Sequence, residues 1–351
     1  MHDEIFILML AAAIALLFSW AFRTLPREDW QILACLPRRK GPDGLWSGIN
    51  LTYYGVFNAL AYLFAVAMFL IMTGSLNITL IATLSGVIPV LAICMPAARL
   101  IARVVEKKQH TFSVGGASFT GILITPWIIA LVNITLGKWL GFHIPVIETL
   151  AAIFIAYAFG EGIGRLACIS FGCCYGKPLS ACNPVMKRIF RKWNFVFRGK
   201  TKKIAYAHGF DGQAVIPVQA LTAVIYTSVG LLSFYLFLKG KASTALLIAL
   251  VITQGWRFVS EFMRADYRGH GRISAYQIMT LLAIVYTLVI VTFIKEPDHG
   301  LPDLLMGISS LWNPGLIIFL VVLWVVAFTY AGKSSVTFSS ISIQIIEKNK
   351  F

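Results

Sequence analysis

Of 351 residues, 58% are hydrophobic and only 13% charged, with a mean hydropathy of +0.79, which excludes a water-soluble globular surface and leaves lipid to solvate most of the chain. The formal net charge of +15 does not point to nucleic acid, because the 30 Lys and Arg fall in the segments between apolar runs and not on a basic soluble domain. Anionic lipid headgroups are the expected partners, and no nucleic acid is expected.

A membrane-spanning helix needs about 20 predominantly apolar residues. The first run, residues 5–22, follows the acidic Asp3 and Glu4 in place of a basic leader and is long enough to cross, so it reads as a retained helix and not a signal peptide. Further spans are predicted over 51–73, 77–95, 114–135, 144–162, 215–239, 243–262, 274–294 and 309–331, although Pro145, Glu148 and Glu161 interrupt the run at 144–162. These runs are continuous and do not alternate, which excludes a β-barrel. The expected fold class is all-α: a polytopic helical membrane protein with about nine spans and a small polar head segment.

That head is the stretch from Arg165 to Gln213, which holds ten Lys and Arg and is too long for a simple connector. Within it, Met186 to Phe197 mixes Lys187, Arg188, Arg191 and Lys192 with Ile189, Phe190, Trp193 and Phe195, a pattern that predicts an interfacial amphipathic helix, with a solvated basic loop as the alternative. Beyond Ala331, Ser alternates with Val and Ile, which reads as a small strand or a disordered tail. Sorting the loops of a nine-span chain places 25 of the 30 Lys and Arg on one side, with only Lys138, Lys239, Lys241 and Lys295 on the other. Taken alone, that asymmetry puts the basic side in the cytoplasm.

Ionisable groups in or at the edge of a span are functional candidates. Arg257 and Glu261 stand at i and i+4; either they neutralise each other, or Arg257 offers its planar guanidinium to an anionic headgroup while Glu261 orients it. A second candidate is Glu161-Gly162-Ile163-Gly164-Arg165, followed by Cys168 and by Phe171-Gly172-Cys173-Cys174-Tyr175-Gly176, where an arginine emerges beside flexible glycines at the membrane surface. Cys168, Cys173, Cys174 and Cys182 cluster in sequence, but the spacing does not suggest a zinc site, and no metal or cofactor is expected.

The order of motifs resembles the prolipoprotein diacylglyceryl transferase family. Five blocks carry the likeness: Tyr53-Tyr54-Gly55; Gly115-Gly116-Ala117-Ser118-Phe119-Thr120-Gly121; Gly164-Arg165 through Gly176; Pro217-Val218-Gln219; and Trp256-Arg257 through Asp266, with Ser274 and Gln277 beyond. The resemblance implies transfer of a diacylglyceryl group from phosphatidylglycerol to the lipobox cysteine of a preprolipoprotein, or to an altered acceptor, in a bacterial plasma or inner membrane. It implies a seven-span core at 51–295 with head 165–213, an extra span and basic loop at 1–50, and an extra span and tail at 296–351. By the same resemblance Tyr54, Arg165, Arg257 and Glu261 are catalytic, and Arg99, Thr120, Cys168, Cys173 and Gly176 are substrate-binding. It also implies that the signature loops face the extracytoplasmic side, against the charge count.

The departures are specific. Thr120 stands at the family's catalytic histidine, and His110 is ten residues too early to replace it. A threonine is no general base near neutral pH. Cys168 and Cys173 stand at the asparagine and glutamate of the signature, and Thr222 replaces an acid after Gln219. The competing function is a paralogue that binds or transports an anionic lipid or another small anion without catalysis.

Overall fold

A computed structural model describes residues 2–106, 113–265, 273–294 and 300–342. His110, Asp266 and Lys295 lie outside the described residues, as do Lys107, Lys108, Arg268, Arg272, Lys348 and Lys350 of the basic side. Among the described residues nine helices are long and apolar enough to cross a membrane, and the protein is a multi-pass membrane protein.

In chain order, α1 (His2–Thr24) leads to strands β1 (Ile32–Lys40) and β2 (Trp46–Thr52), then α2 (Tyr53–Ser75) and α3 (Leu80–Glu106). Helix α4 (Val114–Val132) continues through a π-helical turn at Asn133–Gly137 into the short α5 (Lys138–Leu140), and α6 (Val146–Phe171) follows. The head holds α7 (Pro184–Phe190), β3 (Phe195–Val196), α8 (Lys203–His208) and β4 (Ala214–Val215). The chain then forms α9 (Val218–Leu238), α10 (Ala242–Ser260), α11 (Ala275–Phe293), α12 (Leu304–Ser310), α13 (Pro314–Gly332) and β5 (Lys333–Ile341).

Helix α6 is the axis: 72% of its apolar window is buried, against 11% for α13 at the periphery. Ala151, Ala152, Ala156, Ala158 and Ala167 let α2, α9 and α10 approach it closely, as small residues do between helices in lipid. The largest extensions beyond the predicted spans are at the ends of α6 and α3. Helix α6 runs past Glu161 to Phe171 because Arg165 ion-pairs with Glu161, and α3 runs past Pro96 so that Arg99 and Arg103 ride on its last turns, where long basic side chains reach polar surroundings.

Two small antiparallel sheets are added to the helices, and of their strands only that of the tail is among the sequence expectations. In the larger, of order β1-β2-β5, the central β2 pairs Trp46 with Lys40 on one side and with Ile341 on the other. The tail therefore forms a strand as far as Ile341. In the head, the helix expected over 186–197 is confined to α7: Asn183 caps its start by accepting from Met186 N at 2.8 Å. Asn194 donates to the carbonyls of Phe190 and Arg191, closing the end. Phe195 then enters a strand pairing with Val215 and is buried.

Among the described residues, parts of four of the segments read as one basic side gather at one end. Gln31 bonds Thr201, Arg198 N donates to Pro26 O, Lys177 N donates to Met263 O, and the β2–β5 pairing joins 46–52 to the tail. At the other end Lys239 pairs with Glu4 at 2.7 Å and Asp3 at 3.4 Å.

Candidate active site

A cavity of about 480 Å³ opens toward the basic end among α2, α4, α6, α9, α10 and the loop after α6. Tyr54, Arg165, Arg257 and Glu261 all line it, as do Cys168 and Cys173, so six of the nine residues singled out by sequence share one space. Arg99, Thr120 and Gly176 do not line it.

Arg257 enters from the last turn of α10, which ends at Ser260 and tightens into a 3-10 turn at Glu261–Met263. Its Nη1 donates to the Tyr157 hydroxyl at 3.1 Å. On its other side lies Gly115 in the first turn of α4: a Cβ there would overlap Nη2 and sit 3.0 Å from Cζ. The first glycine of the Gly-Gly motif is thus the gap that admits the guanidinium. Ser113 begins α4 by accepting from Gly116 N at 3.1 Å and donates to the Tyr276 hydroxyl at 2.8 Å, which fixes that turn against α11. Five residues beyond Gly115, Thr120 is rotated about 140° around α4, which is why it faces elsewhere.

Arg165 forms an ion pair with Glu161 one turn earlier on α6, with both side chains largely enclosed at 15% and 14% exposure. Its Nε is buried without an acceptor among the described residues, a donor left over for an anion. Tyr54 packs edge-on against Phe171 at 5.5 Å, at the first turn of α2. Arg99 is exposed on α3. Gly176 is part of the frame: a Cβ would strike the Ile216 carbonyl, and its bridge to Arg264, with Ala265 N donating to Tyr175 O at 3.1 Å, ties the signature loop to the segment after α10.

The remaining motif residues are also supports. Gln219 donates to Cys173 O at 2.8 Å and so pins the cysteine loop. Gln277 completes a capping box with Ser274 and donates to Phe258 O at 3.0 Å, next to Arg257 in the chain. Thr222 accepts from the Trp256 indole at 2.9 Å, so where the family has an acid this chain has a neutral wedge between α9 and α10.

Three thiols converge at the cavity wall. The Sγ atoms of Cys168, Cys173 and Cys174 lie within 4.8 Å of one another. Linear spacing concealed this, because Cys168 belongs to a helix and the other two to the turn that folds back onto it. Hydrogen bonds from the Cys168 and Cys173 thiols, with Arg264 and Arg165 nearby, hold the Cys174 thiol well below its ordinary range, whereas bonding to the other two thiols and burial push Cys173 up. Tyr157 and Gly115, which set Arg257, were not singled out as site residues by sequence; a tyrosine on the interior span, one turn from Glu161, was the available signal for the first.

A second, apolar pocket of about 320 Å³ lies between α2, α3, α4 and α6 and adjoins the polar cavity at Ala65 and Tyr157, which line both. The chain therefore offers cationic and apolar binding space side by side.

No curated protein matches this chain. The family model for prolipoprotein diacylglyceryl transferase matches residues 45–293, from the residue before β2 to the end of α11 and including every residue that lines the polar cavity. With that span of its 351 residues accounted for, the chain belongs to the prolipoprotein diacylglyceryl transferase family.

Proposed function

We propose that the protein transfers a diacylglyceryl group from phosphatidylglycerol to an acceptor thiol, such as a lipobox cysteine, in a bacterial plasma or inner membrane. The observation that carries this reading is the convergence of Arg165 and Arg257, from two different helices, on a polar cavity that adjoins an apolar pocket at Tyr157. A diacyl phospholipid needs both: cationic donors for its phosphate and an apolar wall for its chains.

In the reaction, the acceptor sulfur attacks the glyceryl carbon bonded to the phosphate oxygen. The carbon–oxygen bond breaks, and glycerol phosphate leaves with the electron pair. Negative charge grows on the leaving phosphate, where preorganised guanidinium groups in a partly dehydrated site act most strongly. Arg257, set by Tyr157 and Gly115, and the spare Nε–H of Arg165 suit that role. Glu261 orients Arg257, and Tyr54 is a hydrogen-bond donor at the wall.

The test is incubation of the purified protein with labelled phosphatidylglycerol and a lipobox peptide. The expected result is glycerol phosphate release that Arg257→Ala lowers by about 10³-fold. Lipid binding without release, in the unaltered protein, would instead identify an anionic-lipid-binding or transport paralogue.

A further inference from the structure

The reaction just proposed deprotonates a thiol, yet the position of the family histidine holds Thr120, which faces away from the cavity. What does face the cavity is the group of three cysteines. The backbone builds that group deliberately. Helix α6 ends with Gly172 in the left-handed conformation at φ 70°, and Cys173 N donates to Cys168 O at 3.0 Å, so the turn folds back along the last helical turn. Cys174 is itself left-handed at φ 56°, a conformation that costs a residue with a Cβ about 1–2 kcal/mol. Gln219 holds the carbonyl before it, and the Tyr175 carbonyl is tied to Ala265 N after it, so the surroundings impose the strained turn.

Three converging sulfurs are soft donors suited to zinc or a monovalent soft ion and poor for magnesium or calcium. Zinc–sulfur bonds of ~2.3 Å place tetrahedral sulfurs roughly 3.8 Å apart, within the 4.8 Å limit that encloses these three Sγ atoms. Three thiolates around a divalent zinc leave one negative charge, which Arg165 and Arg264 on the same cavity wall would balance. Three protein ligands also leave the fourth tetrahedral position open, the arrangement of a catalytic and not a structural zinc. Cys182 is elsewhere, its thiol donating to Pro178 O at 3.4 Å, and Cys35 and Cys94 stand apart in β1 and α3.

We propose that Cys168, Cys173 and Cys174 bind a zinc ion whose open position takes up the acceptor thiol as its thiolate, replacing the missing base. This rests on the transferase reading above. The acceptor thiol loses its proton to water as its sulfur joins the metal, since a coordinated thiol is deprotonated. The sulfur lone pair then forms the sulfur–carbon bond while the carbon–oxygen bond to phosphate breaks, so nothing is oxidised or reduced. The thioether product is a neutral, weaker ligand and gives up the zinc.

The experiment uses the full chain in phosphatidylglycerol nanodiscs, loaded with zinc or with cobalt(II) as a spectroscopic substitute. The expected result is one zinc per chain, a sulfur-to-cobalt charge-transfer band, and a shift of that band on adding a lipobox peptide but not its serine analogue. Cys168→Ser, Cys173→Ser and Cys174→Ser each weaken zinc binding by at least about tenfold, as loss of a ligand should exceed loss of an outer-shell partner; Cys35→Ser and Cys94→Ser leave the stoichiometry intact. The wild-type cobalt spectrum needs no variant to fold. Absence of stoichiometric zinc, survival of zinc binding in all three variants, or a cobalt band indifferent to the peptide thiol overturns the proposal. Glycerol phosphate release that persists after chelation removes the metal also overturns it while leaving the transferase reading standing. A thiol-sensitive cobalt band without any release upholds the metal–thiol site and breaks the transferase reading instead.

Discussion

On α6 a glutamate precedes an arginine by four residues, and on α10 the arginine comes first. The same spacing yields two different sites. Glu161 and Arg165 follow the orientation that suits an i,i+4 pair and close on each other inside an unbroken helix. Arg257 precedes Glu261 in the less favourable order, and α10 tightens into a 3-10 turn at Glu261. The Arg257 guanidinium is steadied by the Tyr157 phenol and by the space at Gly115, with the Glu261 carboxylate near enough to act on it electrostatically. Arg257 is thus set by residues of α4 and α6 from outside its own helix, whereas Arg165 is paired within α6 and keeps an Nε–H without an acceptor among the described residues.

The sharpest way to break this contrast is on the α6 side. Glu161→Gln leaves Arg165 enclosed without its counter-charge, and a broken buried pair costs roughly 3–5 kcal/mol. Thermal denaturation in detergent should show that loss, while the matching change just beyond α10, Glu261→Gln, should lower turnover far more than stability. Equal losses of stability in both would mean that the two helices use their acids alike.

Next in size is Gly115→Ala. The added methyl overlaps the Arg257 guanidinium, and a displacement of about 1 Å at a positioning group costs on the order of 10² in rate. Turnover should fall by that factor with the fold intact, and the double variant with Arg257→Ala should be no slower than Arg257→Ala alone. Additive losses would show that the glycine acts on something other than the arginine.

Tyr157→Phe removes one hydrogen bond to Arg257 and leaves the ring in place at the junction of the two cavities. A hydrogen bond to a charged group contributes about 1.5–3 kcal/mol, and water can recover part of it here, so a loss of roughly tenfold in kcat is expected with little change in lipid affinity. A large loss of affinity with kcat preserved would move Tyr157 from positioning the arginine to binding the lipid.

These contrasts also show what the sequence discloses. The nine spans are legible because lipid demands long apolar runs, and they survive errors of several residues at their ends. Of the larger sheet only the tail strand is: in β2 the residues turned inward include Asn50 and Thr52, which bond Thr337, Ser339 and the Gly332 carbonyl, so polarity marks the buried face and the hydrophobic pattern misleads. Arg165 and Arg257 are legible as expensive charges in apolar segments. The gathering of the thiols is not, because it depends on two left-handed residues, Gly172 and Cys174, whose conformation no spacing reveals. Nor is Gly115, whose importance is the volume it lacks.

The smallest effect on activity, and the one that tests the frame, concerns Lys202. It is fully buried, and its ammonium donates to Ser170 O at 2.6 Å and Leu25 O at 3.2 Å, gathering the carbonyl ends of α6 and α1 beneath the head. Burial lowers its pKa to about 8 from 10.5, with nearby Glu28 opposing the shift. Because the unfolded chain then binds more protons than the folded one between about pH 8 and 10.5, this group's contribution makes stability rise with pH across that window; below it both states are charged and the contribution is flat. Lys202→Met should abolish that rise in a pH series of melting temperatures, and should lower stability near neutral pH by about 1–3 kcal/mol through the two carbonyls left unbonded. Turnover per folded molecule should stay within about twofold, since Lys202 lies outside the cavity lining. A large drop in turnover at unchanged stability would mean that the head is coupled to the arginines and does more than close the basic end of the bundle.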